Sequence, residues 1–104
     1  MSFKVEVTMA DLKQGKRFGI DDSFLSIAIT RAFEAHEVFV YRESFYVRRY
    51  SKGQSYILPP EAAQASINYD AGLFVMPFSF TIEAWDFVNN ESLVVVANTP
   101  LVFA

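Results

Sequence analysis

The chain has 104 residues and no cysteine, with only four glycines, four prolines, one histidine and one tryptophan. Without cysteine there is no disulfide, no thiolate metal site and no cysteine nucleophile. Small secreted domains usually rely on such staples, so their absence points to a reducing cytoplasm. One histidine among scattered carboxylates is a thin basis for a metal site, and neither metal nor cofactor is expected. Long apolar runs are also missing. "LVVVA" near the end is far too short to cross a bilayer, and "MSFKVEVTMADLK" at the start alternates instead of following a basic segment with an apolar one. No signal peptide or membrane span is expected.

Positive charge is missing from half of the chain. Residues 1–52 hold all nine Lys and Arg against seven acids, and residues 53–104 hold five acids and no base, for a net charge of −3. A net acidic chain is poorly suited to non-specific DNA binding, which depends on neutralising phosphates.

What is abundant is apolar: 52% of residues are hydrophobic and 16% aromatic, eleven of them Phe. A chain of this length forms one domain, residues 1–104, and buries about two thirds of the surface its unfolded form exposes. Either the core is dense with rings or some of that surface meets a partner. Disorder is excluded as a general description.

Periodicity places the elements. "FKVEVTM" alternates and reads as a strand with Phe3, Val5 and Val7 on one face. "ADLKQGKRFGIDDS" reads as a loop. A helix is expected to start at Asp21, Asp22 or Ser23, which can cap its amides, and to run through "FLSIAITRAFEAH" to His36. Ser23, Ser26, Thr30, Glu34 and Glu37 form one polar stripe on an otherwise apolar cylinder, so this helix should be largely buried.

"EVFVYR" and "SFYVRRY" read as strands with "RES" turning between them, and "SKGQS" as a flexible loop. "LPPEAAQASINYDAG" reads as a second helix, with Pro60 at its first position and Gly72 as a left-handed stop. "PFSFTIE" alternates again, with Phe78, Phe80 and Ile82 inward, and "SLVVVA" reads as a last strand. The expected order is β-α-β-β-α-β-β. That is an α+β domain, with a mostly antiparallel sheet and two helices on one face.

"YRESFYVRRY", residues 41–50, concentrates rings and guanidinium groups. In a strand anchored inward by Phe45 and Val47, the residues Ser44, Tyr46, Arg48 and Tyr50 face outward. Rings beside guanidinium groups hold single-stranded bases or a nucleotide in some proteins. Tyr and Arg are also good exposed strand residues, and they dominate protein-binding hot spots. The candidate partner-binding residues are Arg42, Tyr46, Arg48 and Tyr50.

Other motifs point away from catalysis. His36 has no nucleophile or carboxylate placed by sequence to converge on it, and "KQGKRFG" lacks the spacing of a phosphate-binding loop. No carboxylate pair is placed for general acid–base work, so no catalytic residue is assigned and an enzyme is disfavoured. "SLVVVANTPLVFA" is apolar and β-prone; at an edge it would need pairing with another subunit, which favours a homodimer.

The succession "KQGKRFGIDDSFLSIAITRAF", paired strands, then "LPPEAAQASINYDAGLFVMPFSFTI" resembles a set of small uncharacterised proteins encoded by bacteriophages and prophages. The resemblance spans residues 11 to 82. A Cys-Pro pair associated with the start of the first helix in that set is replaced here by "DDSFLSIAI", and the tail from Ala84 lies outside the pattern.

The resemblance implies a viral origin and a host bacterial cytoplasm, without implying an activity. The expectation that follows is a phage-type accessory protein acting by stoichiometric binding to a host protein, in host takeover or defence evasion. The alternative is a nucleotide or single-stranded nucleic-acid binding module using the Tyr/Arg strand face. A small enzyme and a virion or assembly component are further rivals.

Overall fold

Thr8 opens the first helix. Its hydroxyl accepts from the Asp11 amide (3.2 Å) while the Asp11 carboxylate accepts from the Thr8 amide (2.9 Å), a reciprocal capping box. This motif organises α1 (Met9–Gln14) inside the stretch expected to be a loop. The computed structural model describes residues 2–83, in the order β1 (Ser2–Val7), α1, α2 (Phe24–Phe33), β2 (Glu37–Val40), β3 (Ser44–Arg49), β4 (Lys52–Ile57), α3 (Pro60–Asp70) and β5 (Phe78–Glu83). The expected strand at "SLVVVA" and the apolar tail lie outside the described residues.

The α+β class stands, but among the described residues the single expected sheet becomes two and the two expected helices become three. β1 and β5 form an antiparallel pair, and β2-β3-β4 form an antiparallel meander. The reason is the apolar load of α2, which buries Phe24, Leu25, Ser26, Ala28, Ile29 and Phe33. A helix apolar on most sides needs partners on more than one side, and α2 packs on strands of both sheets.

Phe33 shows how. Its ring stacks on Phe3 of β1 (centroids 4.1 Å) and meets Phe45 of β3 (6.0 Å) and Tyr56 of β4 (5.4 Å) edge-on. Inward alternation follows the sequence pattern. Val5, Val7, Phe80 and Ile82 are buried from the first sheet, and Val38, Val40, Phe45 and Val47 from the second.

Ser23 caps α2 by accepting from the Ser26 amide (3.1 Å). The polar stripe of α2 is not its solvent face, because Ser23 and Ser26 are buried. The Ser26 hydroxyl donates to the Ile20 carbonyl (2.7 Å) and so ties down the preceding loop. The helix ends at Phe33, three residues before His36, because Glu34 turns left-handed (φ 52°). His36 therefore leads into β2, where its amide donates to the Arg48 carbonyl (2.9 Å).

The β4 strand also replaces an expected loop. Its residues Lys52–Ile57 are drawn into pairing by the two-residue turn Tyr50-Ser51, with Arg49 opposite Lys52. α3 starts at Pro60 and is followed by Gly72 at φ 85°, as the sequence indicates. The Tyr69 hydroxyl lies within hydrogen-bonding distance of the Leu12 and Gly15 carbonyls (2.7 and 2.9 Å) and fastens α3 to α1.

Asp11 is the one buried carboxylate of the described residues. The Arg31 guanidinium donates to it through both terminal nitrogens (3.0 and 2.7 Å), and its Nη2 also donates to the Glu6 carbonyl (2.8 Å). Hydrogen bonding to Arg31 holds the Asp11 carboxyl below its ordinary value, against the opposing effect of burial. A depressed folded-state value means stability that is present above the unfolded value, about 3.9, and lost as pH falls through the folded one. Asp11→Asn is expected to cost about 1–2 kcal/mol at pH 7, the charge-assisted bonds being discounted because half of Arg31 faces water. Urea melts at pH 7 and pH 3 check this: the gap between variant and parent should narrow at the lower pH.

Candidate functional site

The loop between α1 and α2 carries the least expected feature of the molecule. Lys16 to Gly19 form a turn in which the Gly19 amide donates to the Lys16 carbonyl (3.2 Å). Its third residue is Phe18, at φ 61°, a position that glycine or asparagine normally takes. Phe18 is 76% exposed. A left-handed phenylalanine with its ring in water costs backbone energy and buries almost nothing.

The loop is nevertheless held firmly. The Phe18 amide donates to Asp70 Oδ1 on α3 (2.9 Å), the Lys16 amide to the Asp22 carbonyl (3.0 Å), and the Val40 amide of β2 to the Ile20 carbonyl (2.8 Å). Phe18 is thus displayed on a fixed frame.

This turn contributes to two grooves, Phe18 and Gly19 to one and Arg17 to the other. The first, of about 290 Å³, is walled by Phe18, Ile20, Tyr41 and Ile67, with Arg42 and Asp70 beside them. The second, of about 380 Å³, is lined by Met9, Leu12, Arg17, Tyr69, Leu73 and Phe74. Phe74 is 78% exposed, and Ile20, Tyr41, Ile67, Leu73 and Met9 are among the other large apolar side chains left in water. Contiguous exposed apolar patches are characteristic of interaction surfaces, whereas isolated exposed apolar residues need no explanation.

The residues singled out from sequence do not converge. Tyr46 and Arg48 do project from the outer face of β3, while Phe45 and Val47 are buried on the inner one. Arg48, however, is engaged. Its Nε and Nη2 both donate to Glu37 Oε1 across the sheet (2.9 and 2.6 Å). Tyr46 lies over Gly53 and beside Phe39 (centroids 6.2 Å), covering backbone that a glycine leaves bare.

Tyr50 is not on that strand face. It sits in the β3–β4 turn at φ 56°, its ring edge-on to His36 (5.5 Å). The positive φ at the first turn position suits a two-residue hairpin. Arg42, in the β2–β3 turn, lines the Phe18 groove instead.

A methyl group at residue 53 would fall on the Tyr46 hydroxyl. Gly53→Ala is expected to displace that ring and cost about 1–3 kcal/mol. Denaturant midpoints check this, and Tyr46→Ala should cost less in the Gly53→Ala background than alone.

Reading "KQGKRFG" as a loop that lacks phosphate-binding spacing does not single out Phe18. The available signal was a large apolar residue in a glycine-bounded turn with no alternating or helical neighbours to bury it. Among the described residues, no three His, Asp or Glu side chains gather as metal ligands. None of the described helices is long and apolar enough to cross a membrane. Comparison with protein-family models, curated proteins and solved structures gave no match.

Proposed function

We propose that the protein acts by stoichiometric binding to another protein, and that the surface around Phe18 makes the contact. The observation that carries this reading is the left-handed, exposed Phe18, held by the Asp70 carboxylate at the edge of a groove walled by Ile20, Tyr41 and Ile67. Strain held in a rigid frame is retained where it serves a contact, and a preordered anchor loses little entropy on binding. Arg42 and Tyr41 on the same groove supply residue types that dominate binding hot spots.

The resemblance to phage proteins supplies the setting proposed here: an accessory protein, not an enzyme, that occupies a host protein in the bacterial cytoplasm. A second copy of the chain is the rival occupant, and it would make the protein a homodimer. The outer strand face supports nucleic-acid binding less well, because Glu37 neutralises Arg48 and Tyr46 covers Gly53.

Affinity capture from bacterial lysate, with and without nuclease and at two salt concentrations, tests the reading. A retained protein that survives nuclease and moderate salt is the expected result. Retention of nucleic acid alone, lost steeply as salt rises, would replace this reading with the other. Light scattering of the purified chain separates the homodimer, which needs no lysate.

A further inference from the structure

A third cavity lies on the opposite side of the β2-β3-β4 sheet from Tyr46. It is a cleft of about 290 Å³ under the β3–β4 hairpin, lined by the partly exposed Tyr56 and the edges of the buried Phe33 and Val47, with Arg49, Lys52 and Gln54 as its polar lining. Arg49 and Lys52 stand directly opposite each other in the ladder, so both cations project to the same face. Like charges directly opposed across two strands are destabilising, and neither forms a salt bridge among the described residues. Tyr50, exposed and left-handed, stands beside them at the rim. Among the described residues, no carboxylate pairs with either of these two facing cations, and a negative group between them would reconcile the pair.

We propose that this cleft binds a small anion carried on a flat apolar body, its charge between Arg49 and Lys52 and its ring against the partly exposed Tyr56. The chemistry is shared by aromatic carboxylates and nucleoside monophosphates. A guanidinium both pairs with the anion and stacks on a ring, and the volume suits one ring system and one charged group. This site is separate from the Phe18 surface and does not depend on the function proposed for it.

The test is an amide-resolved NMR titration of the full chain with adenosine monophosphate, indole-3-acetate, adenosine and inorganic phosphate. Shifts confined to the hairpin residues 47–56 are expected with one or both ring-bearing anions. Adenosine and phosphate alone should bind at least tenfold more weakly. The tighter of the two anions assigns the charged group as phosphate or carboxylate.

Arg49→Gln combined with Lys52→Gln should weaken binding about a hundredfold. It should also melt no lower than the parent, since a repulsion has been removed. Arg48→Gln, on the other face, should leave binding unchanged. Absence of hairpin shifts at millimolar concentrations of both ring-bearing anions would overturn the proposal, as would equal binding by the double variant.

Discussion

Phe33→Ala is expected to destabilise the protein by about 3–5 kcal/mol, the range for removing a fully buried aromatic ring. Total stability of a domain this size is about 5–15 kcal/mol, so the variant should be close to unfolding at 37 °C. Phe33 is 2% exposed and its ring touches Phe3, Phe45 and Tyr56, on strands from both sheets. Deleting it therefore opens a cavity at the junction of the two sheets, where collapse of one wall pulls on the other. Ile29→Val, elsewhere on the same helix, removes one methylene and should cost about 1 kcal/mol. Chemical denaturation of both variants checks the contrast. Similar losses from the two would mean that the sheets do not meet through Phe33.

The folding of α2 between two sheets was only half legible in the sequence. A helix with apolar residues on nearly every side announces its burial, and "FLSIAITRAF" does so. The number of sheets needed to bury it is not written in any local pattern. It depends on which strands find each other, and β1 pairs with β5 across most of the described chain. Strands with strict alternation, β1 and β5, and the Pro60 and Gly72 boundaries of α3 were readable because each rests on a local rule.

β4 was not readable. "KGQSYI" has turn-like composition and becomes a strand because the Tyr50-Ser51 turn places it beside β3. α1 was readable in principle from Thr8 and Asp11 at capping-box spacing, but six residues carry too little periodicity to compete with the glycines that follow. The Tyr/Arg stretch was assigned to the correct face for Tyr46 and Arg48. Their engagement by Gly53 and Glu37 is a cross-strand fact that only register supplies.

Phe18→Asn is expected to separate stability from function. Asparagine tolerates the left-handed conformation that phenylalanine resists, and the mostly exposed ring contributes little burial. The backbone bond from residue 18 to Asp70 needs no side chain and should persist. Stability should therefore stay within about 1 kcal/mol of the parent or rise above it. Binding should behave oppositely. An anchoring aromatic at the centre of an interface is worth about 2 kcal/mol or more, at least thirtyfold in Kd. Ile67→Ser, in the adjoining groove, should weaken the same contact without the gain in stability. Arg48→Ala, on the outer sheet face, should not affect it.

The most direct measurement pairs thermal melting of parent and Phe18→Asn with their Kd values for the protein retained from lysate. The expected result is a melting temperature equal to or above the parent's together with at least a thirtyfold loss of affinity. Unchanged affinity with an intact fold would contradict it, and would leave the left-handed Phe18 without a role in binding.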